Sequence, residues 1–107
     1  MSHSINITKL KKKYRILMET KDAVFEITVL GPKSGSLMIQ GGDRFIRPTR
    51  VIISGNIKKS EVVEFIYKAE HATRVFKTSP VLSATIYAPD DSWHYDAIEK
   101  EENEDTN

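Results

Sequence analysis

Apolar and polar residues alternate cleanly near the start of the chain. The alternation covers residues 14–19 and 25–29, on either side of the polar break 20–22. A period of two places apolar side chains on one face of a β-strand and polar ones on the other. These two segments therefore predict an antiparallel hairpin.

Three later segments, 37–40, 44–54 and 81–88, have the same strand character. The turns between the short segments are rich in Gly, Pro, Ser and Asn, which is typical of an antiparallel meander. Pro48 cannot donate a hydrogen bond to a sheet, so we expect an edge or a bulge at that point. So few residues predict a mainly β domain whose meander curls into a small barrel or roll.

The densest apolar run, residues 60–89, fits two structures. At helical spacing its first part places apolar residues on one side, which predicts a helix at about 60–73 and an α+β domain. Alternatively, 61–68 and 73–78 are two strands of a hairpin, although the turn 69–72 lacks Gly, Asn, Asp and Pro. Both alternatives bury the same four side chains: Val62, Phe65, Ile66 and Phe76.

The chain has 107 residues, enough for one domain with a single core. We expect a frayed arm at residues 1–9, a domain at 10–96 and a disordered acidic tail at 97–107. The absence of a membrane-spanning apolar run and of a secretory leader predicts a cytoplasmic protein without a membrane partner.

Charge is segregated along the chain although the net charge is only +1. Residues 1–88 carry fifteen Lys and Arg against seven acids, a balance of +8, and residues 89–107 carry one Lys against eight acids, a balance of −7. A basic body with an acidic tail points to an electrostatic partner, or else is a common solubility feature.

Candidate chemistry for catalysis is sparse. The chain has no cysteine, which excludes disulfides, thiolate nucleophiles and sulfur-ligated zinc. Its three histidines are scattered, and Ser92, His94 and Asp96 are close only in sequence, which does not establish a triad. We therefore predict a protein that is not an enzyme and that uses no metal or cofactor.

Basic residues form three candidate anion-binding or nucleic-acid-binding segments. An N-terminal arm and a glycine-flanked segment supply most of them, and a third group adds an aromatic neighbour, because Arg74 and Phe76 share a face if the hairpin forms. The candidate contacts are Lys11, Lys12, Lys13, Arg15, Arg44, Arg47, Arg50, Arg74 and Lys77. The candidates for contact with a protein partner are Phe45, Trp93 and Tyr95.

Three functions are compatible with these features. The first is a non-enzymatic protein-interaction or structural module that associates with a protein partner or with itself through an exposed strand edge. The second is a nucleic-acid-binding β-barrel whose acidic tail competes for the basic surface. The third is a small-molecule or anion-sensing domain that uses the glycine turn at Gly41 and Gly42.

Overall fold

The computed structural model describes residues 4–100, and nearly all of its regular structure is β-strand. The strands are β1 (Ser4–Ile5), β2 (Arg15–Thr20), β3 (Val24–Gly31), β4 (Ser36–Gly41), β5 (Phe45–Ser54), β6 (Ile57–Lys58), β7 (Glu64–Ala69), β8 (Ala72–Lys77), β9 (Val81–Tyr87) and β10 (His94–Ile98). A 3₁₀ turn at Ile7–Lys9 is the only helical element within residues 4–100. The prediction of a mainly β, antiparallel domain is confirmed.

Eight strands form one antiparallel sheet in the order β10-β9-β2-β3-β4-β5-β7-β8, and β1 pairs with β6 in a separate two-stranded sheet. The predicted first hairpin is β2–β3, in which Ile16 lies opposite Ile27. From β2 to β8 the large sheet is a meander, because each strand pairs with the next except for the short β6. The chain then crosses back, and β9 pairs with β2 on the far side of the sheet.

The connection between β8 and β9 requires the sheet to bend strongly. In a flat sheet the two strands would lie six strand spacings apart, roughly 29 Å, whereas the three-residue linker 78–80 reaches only about 14 Å. Phe76 on β8 accordingly meets Phe25 on β3, with ring centroids 6.0 Å apart. Within residues 4–100 no strand pairing closes β8 onto β10, and the isolated parallel bridge joins Lys59, after β6, to Val81 on β9, so the prediction of a barrel or roll is not confirmed.

The inner face of the bent sheet holds the core. Its largest fully buried side chains are Phe25, Phe45, Phe65, Ile7, Ile16, Met18, Ile27, Leu37, Ile39, Ile57, Ile86 and Ile98. They come from nearly every strand, so burial of this face couples the two halves of the sheet.

The ambiguous run 60–73 is a strand hairpin, and its helical alternative is wrong. Glu70 adopts the left-handed region at φ 58°, which allows a two-residue turn without glycine. Phe65 lies opposite Phe76 across the hairpin, on the side that faces the core. The predicted burial of Val62 is also wrong, because this side chain is exposed just before β7.

Both ends of the domain extend further than predicted. Residues 4–9 are not frayed, because Ile5 and Ile7 are buried in the core and β1 pairs with β6. At the other end β10 continues past residue 96, and Ile98 is buried. Apolar residues isolated in a polar segment give no periodic signal, so the sequence pattern did not predict the burial of Ile5, Ile7 and Ile98. The rest of the predicted tail, 101–107, lies outside the described residues.

Pro48 lies in the first half of β5, as an edge position would require. Only Ile52–Ser54 of β5 pairs with β7, so the side of β5 that faces away from β4 is unpaired around Pro48. The missing N–H of proline therefore leaves no gap in a ladder.

Candidate functional site

The two edges of the large sheet are β10 and β8, and they differ in cover. β1 lies beside β10, and residues of both strands line one cleft. No strand covers β8 within residues 4–100, and five of its six residues are exposed. An uncovered edge of this length is a template for pairing with another strand.

Hydrogen-bond alternation shows which β8 backbone groups are free to pair. The Thr78 N–H donates to the Val63 carbonyl over 2.9 Å, so this pair, one step beyond β8, is hydrogen-bonded. Hydrogen-bonded and non-hydrogen-bonded pairs alternate along an antiparallel ladder. The residues whose backbone groups face β7 are therefore Ala72, Arg74 and Phe76. Those whose N–H and C=O groups face the open edge are Thr73, Val75 and Lys77.

An apolar row crosses the outer face of the sheet and ends at this edge. Ile52 lies opposite Ile66, and Ile66 lies opposite Val75. Ile52 and Val75 are 47% and 50% exposed, far more than side chains of the core. The row is therefore an apolar strip that solvent reaches and that stops at an unpaired strand.

The inner side of the same edge carries Arg44, Tyr67, Arg74 and Phe76, and Lys77 follows Phe76 at the end of β8 with its side chain on the opposite face. We define these five residues as the aromatic and basic cluster. Arg44 Nη1 donates to the Tyr67 hydroxyl over 2.9 Å, and the guanidinium carbon lies 5.5 Å from the centre of the Phe76 ring. Tyr67 lies opposite Arg74 on the hairpin. The ring of Phe76 is fixed from behind by Phe45, with centroids 5.2 Å apart.

Residues distant in sequence thus converge at one end of the sheet. Arg44 and Lys77 line the same cavity, and Arg74 neighbours the tyrosine to which Arg44 donates. Among residues 4–100, ion pairs within 4.0 Å involve only Arg15 and Lys100 as cations, so the cations of this cluster face no neutralising carboxylate at that distance.

The N-terminal arm does not join this cluster. Lys11 and Lys12 line a groove with the β3–β4 turn, and the Lys13 N–H donates to the Val29 carbonyl. Along β3, Val29 and Phe25 are about 13 Å apart. The two predicted basic segments therefore lie toward opposite ends of the strands.

The other predicted basic residues have different environments. Arg15 pairs with Asp91 and, at 3.8 Å, with Glu26, and its guanidinium lies 5.4 Å from the Tyr87 ring centre. Arg47 and Arg50 are exposed on β5. Arg15 is thus engaged in structural contacts, whereas the two β5 residues remain accessible.

The three predicted partner-binding aromatics have different environments. Phe45 is buried in the core, where it cannot meet a partner. Trp93 and Tyr95 are exposed and stack at 6.0 Å, and Tyr14 packs its ring against Trp93 at 5.3 Å. Only Trp93 and Tyr95 can contact a partner in this conformation.

A tight turn before β10 positions the exposed aromatic pair. The Asp90 carboxylate accepts from the Ser92 N–H over 3.0 Å. Hydrogen bonds from the Ser92 side chain and then from its backbone lower the pKa of the Asp90 carboxyl. The Trp93 carbonyl accepts from the Ala88 N–H and closes the turn.

A cluster suited to metal binding is not found in the described part of the chain. Within residues 4–100 no group of three His, Asp or Glu side chains could hold a metal ion. In the same region no helix has the length and apolar character needed to cross a membrane.

Comparison with protein-family models, with curated proteins and with solved structures finds no match for the chain. The functional argument therefore depends on the geometry of the β8 edge and the cluster beside it. Sequence reasoning singled out Arg44, Arg74 and Lys77 but missed Val75, because the helical alternative left its exposure undefined. Tyr67 was missed for the same reason.

Proposed function

We propose that this chain is a non-enzymatic protein-interaction module that self-associates through the free edge of β8. Two bent sheets, each treated as a roll with one open edge, would join into one continuous antiparallel sheet. The observation that carries the proposal is the apolar row Ile52, Ile66 and Val75, which ends in register at an unpaired strand.

A pairing centred on Val75 gives hydrogen-bond partners to the free backbone groups of β8. The backbone groups of Val75 face outward, so Val75 and its symmetry mate can form a hydrogen-bonded pair about a twofold axis. On the outer face the apolar row of one copy would continue directly into that of the other. Burial of these branched side chains supplies the driving force.

The inner face is also complementary in this register. Arg74 lies opposite Phe76 of the second copy, which is a favourable cation–π geometry worth roughly 0.5–1 kcal/mol at an exposed site. On the outer face Lys77 lies opposite Thr73 of the second copy. Moving the centre to Arg74 would place two arginines directly opposite each other, which is unfavourable. The sequence of β8 therefore favours the Val75 register.

The charge of the body gives the association a distinctive salt dependence. With a balance of +8 over residues 1–88, two bodies repel each other at low ionic strength. Added salt should strengthen a dimer held by apolar contacts and backbone hydrogen bonds. Association of the basic body with a second copy's acidic tail would instead weaken with salt.

Sedimentation equilibrium of the full chain tests the proposal. The expected mass is twice 12.2 kDa at high concentration, with a dissociation constant that falls as salt increases. The decisive variant is Val75→Pro, which removes an outward N–H and leaves the β7–β8 hydrogen bonds intact. The matched control Val75→Thr keeps both the N–H and β-branching.

Val75→Pro should be monomeric with unchanged far-ultraviolet circular dichroism, and Val75→Thr should still dimerise. A wild-type chain that stays monomeric at millimolar concentration would refute the proposal, and so would a Val75→Pro chain that dimerises as well as the wild type.

Cross-linking tests the register directly, because the chain contains no cysteine of its own. Val75→Cys places two cysteines directly opposite each other, with Cα atoms about 5.5 Å apart, which is within the range of a disulfide. In Thr73→Cys the two cysteines lie four residues apart along the paired strands, which separates their Cα atoms by at least about 13 Å. Oxidation should link the first variant and not the second. Equal cross-linking of both, or of an Ile46→Cys collision control, would exclude this register.

A further inference from the structure

One unassigned feature is a cavity of about 330 Å³ at the end of the sheet that carries the β2–β3 and β4–β5 turns. One part of its lining is aromatic, from Phe25 and Phe76, and another part is cationic, from Arg44 and Lys77. The remaining polar lining includes Asp22 and Asp43. A half-open cavity that combines ring surfaces with both charges suits a small polar ligand that contains a planar ring.

Arg44 is held in place by contacts that leave its charge uncompensated. The Tyr67 hydroxyl accepts one of its N–H groups at 2.9 Å, and the Phe76 ring lies beneath the guanidinium at 5.5 Å. Neither contact is a carboxylate, and no Asp or Glu within residues 4–100 pairs with it. The other guanidinium N–H groups stay available to an anion, for which the forked geometry of arginine suits phosphate oxygens.

Lys77 adds a second cation to the same wall. It too has no carboxylate partner within 4.0 Å among residues 4–100, and it precedes Thr78, whose backbone is tied to Val63. Its backbone position at the cavity wall is therefore fixed by the hairpin. The side chain leaves β8 on the face opposite to Phe76, and its flexible four-carbon stem is long enough to turn over the strand edge toward an anion in the cavity.

The two carboxylates favour a ligand that also donates hydrogen bonds. Asp22 accepts a hydrogen bond from the Ser79 hydroxyl, which fixes it at the wall. Asp43 lines the cavity beside Arg44 and forms no ion pair with residues 4–100. A simple anion would be repelled by both groups, whereas the exocyclic amine of a nucleobase can donate to them. The exposed guanidinium face of Arg44 offers a plane on which a base can stack.

We infer that this cavity binds a nucleotide unit, with the phosphate on Arg44 and Lys77 and an amino-bearing base stacked on Arg44 and donating to Asp43. The unit can be a free nucleotide or one residue of a single strand. The inference does not depend on self-association, because Arg44 and Asp43 lie before β5 and outside the proposed dimer contact, although the ring of Phe76 contributes to both.

Binding by the full chain can be measured by fluorescence anisotropy at low salt, with labelled eight-residue oligo(dA) and oligo(dT) as probes. Unlabelled AMP, adenosine and inorganic phosphate serve as competitors. We expect oligo(dA) to bind more tightly than oligo(dT), because thymine lacks the exocyclic amine. AMP should compete better than either adenosine or phosphate. Competition by AMP at micromolar concentration would indicate a free nucleotide, and competition only by oligonucleotides would indicate a single strand.

Two variants locate the site, and one variant controls for net charge. Lys77→Gln and Arg44→Gln should each weaken oligo(dA) binding about tenfold or more and reduce the salt slope by about 0.7. Arg47→Gln removes the same charge from the exposed β5 and should change affinity less than twofold. Circular dichroism checks that each variant folds, and Lys77→Gln remains informative if Arg44→Gln loosens Phe76.

Three results would overturn the inference. The first is no binding of either labelled oligonucleotide to micromolar protein in the absence of competitor. The second is competition by inorganic phosphate equal to that by AMP, which would leave a simple anion site. The third is an equal loss of affinity in Arg47→Gln and Lys77→Gln, which would show a diffuse charge effect. Dimerisation is measured separately, so failure here leaves the β8 proposal unaffected.

Discussion

Thr78 joins the two halves of the sheet, and its replacement by valine should destabilise the fold in a predictable amount. Its hydroxyl accepts from the Val63 N–H over 3.0 Å and donates to the Ser79 carbonyl over 2.6 Å. Thr78 and Val63 are 5% and 1% exposed, so water cannot readily replace these bonds. Valine has nearly the same shape as threonine, so the substitution removes the hydrogen bonds and leaves the packing largely intact.

The expected loss follows from the buried donor. An unsatisfied buried N–H, here that of Val63, costs about 1–3 kcal/mol. Removal of the hydroxyl also removes the cost of burying it, which offsets part of this loss. The Ser79 carbonyl is only partly buried, so its lost hydrogen bond adds little. We therefore expect a loss of about 2 kcal/mol in the free energy of unfolding, close to a thirtyfold change in the folded-to-unfolded ratio.

Urea unfolding, followed by circular dichroism at one fixed protein concentration, measures this change. Thr28→Val is the matched control, because Thr28 lies on the outer face of β3 and its side chain makes no hydrogen bond within residues 4–100. The control should differ from the wild type by less than about 0.5 kcal/mol. A loss below 0.5 kcal/mol in Thr78→Val would refute the reasoning, because the Val63 N–H would then have another partner.

Two further substitutions test the corrected parts of the fold. Glu70→Asn should stabilise the chain by about 0.5–1 kcal/mol in the same unfolding assay, because asparagine tolerates the left-handed conformation at φ 58° better than glutamate does. The control His71→Asn changes the next residue and should not stabilise the chain. Ile7→Ala should lower the free energy of unfolding by about 2–5 kcal/mol, because the side chain of Ile7 is fully buried. A loss below about 1 kcal/mol would show that the N-terminal segment is not part of the core.

The sequence predicted the parts of the fold that depend on a local repeating pattern. The β2–β3 hairpin follows from alternation that the structure reproduces residue by residue, with Ile16 and Ile27 facing the core. The position of Pro48 was anticipated because a missing N–H excludes a paired site. Both inferences require only the chemistry of the backbone and a period of two.

Elements without a local pattern could not be predicted in this way. Ile5, Ile7 and Ile98 are isolated apolar residues in polar segments, and their burial follows from contacts with strands distant in sequence. The turn at Glu70 lacks the usual turn residues, and the pairing of Phe65 with Phe76 compensates for its strained backbone. Tertiary contacts therefore decided between helix and hairpin for residues 60–73.

The candidate site also has some features that the sequence determined and others that only the tertiary structure decided. The sequence by itself determined which residues carry positive charge, that no cysteine is present and that most of the chain forms strands. Only the tertiary structure decided that Arg44, Arg74 and Lys77 lie together while Lys11–Lys13 lie elsewhere, and that β8 ends the sheet with its backbone unpaired. The physical reason is that strand order and sheet bending depend on burial of a shared core, which involves residues far apart along the chain.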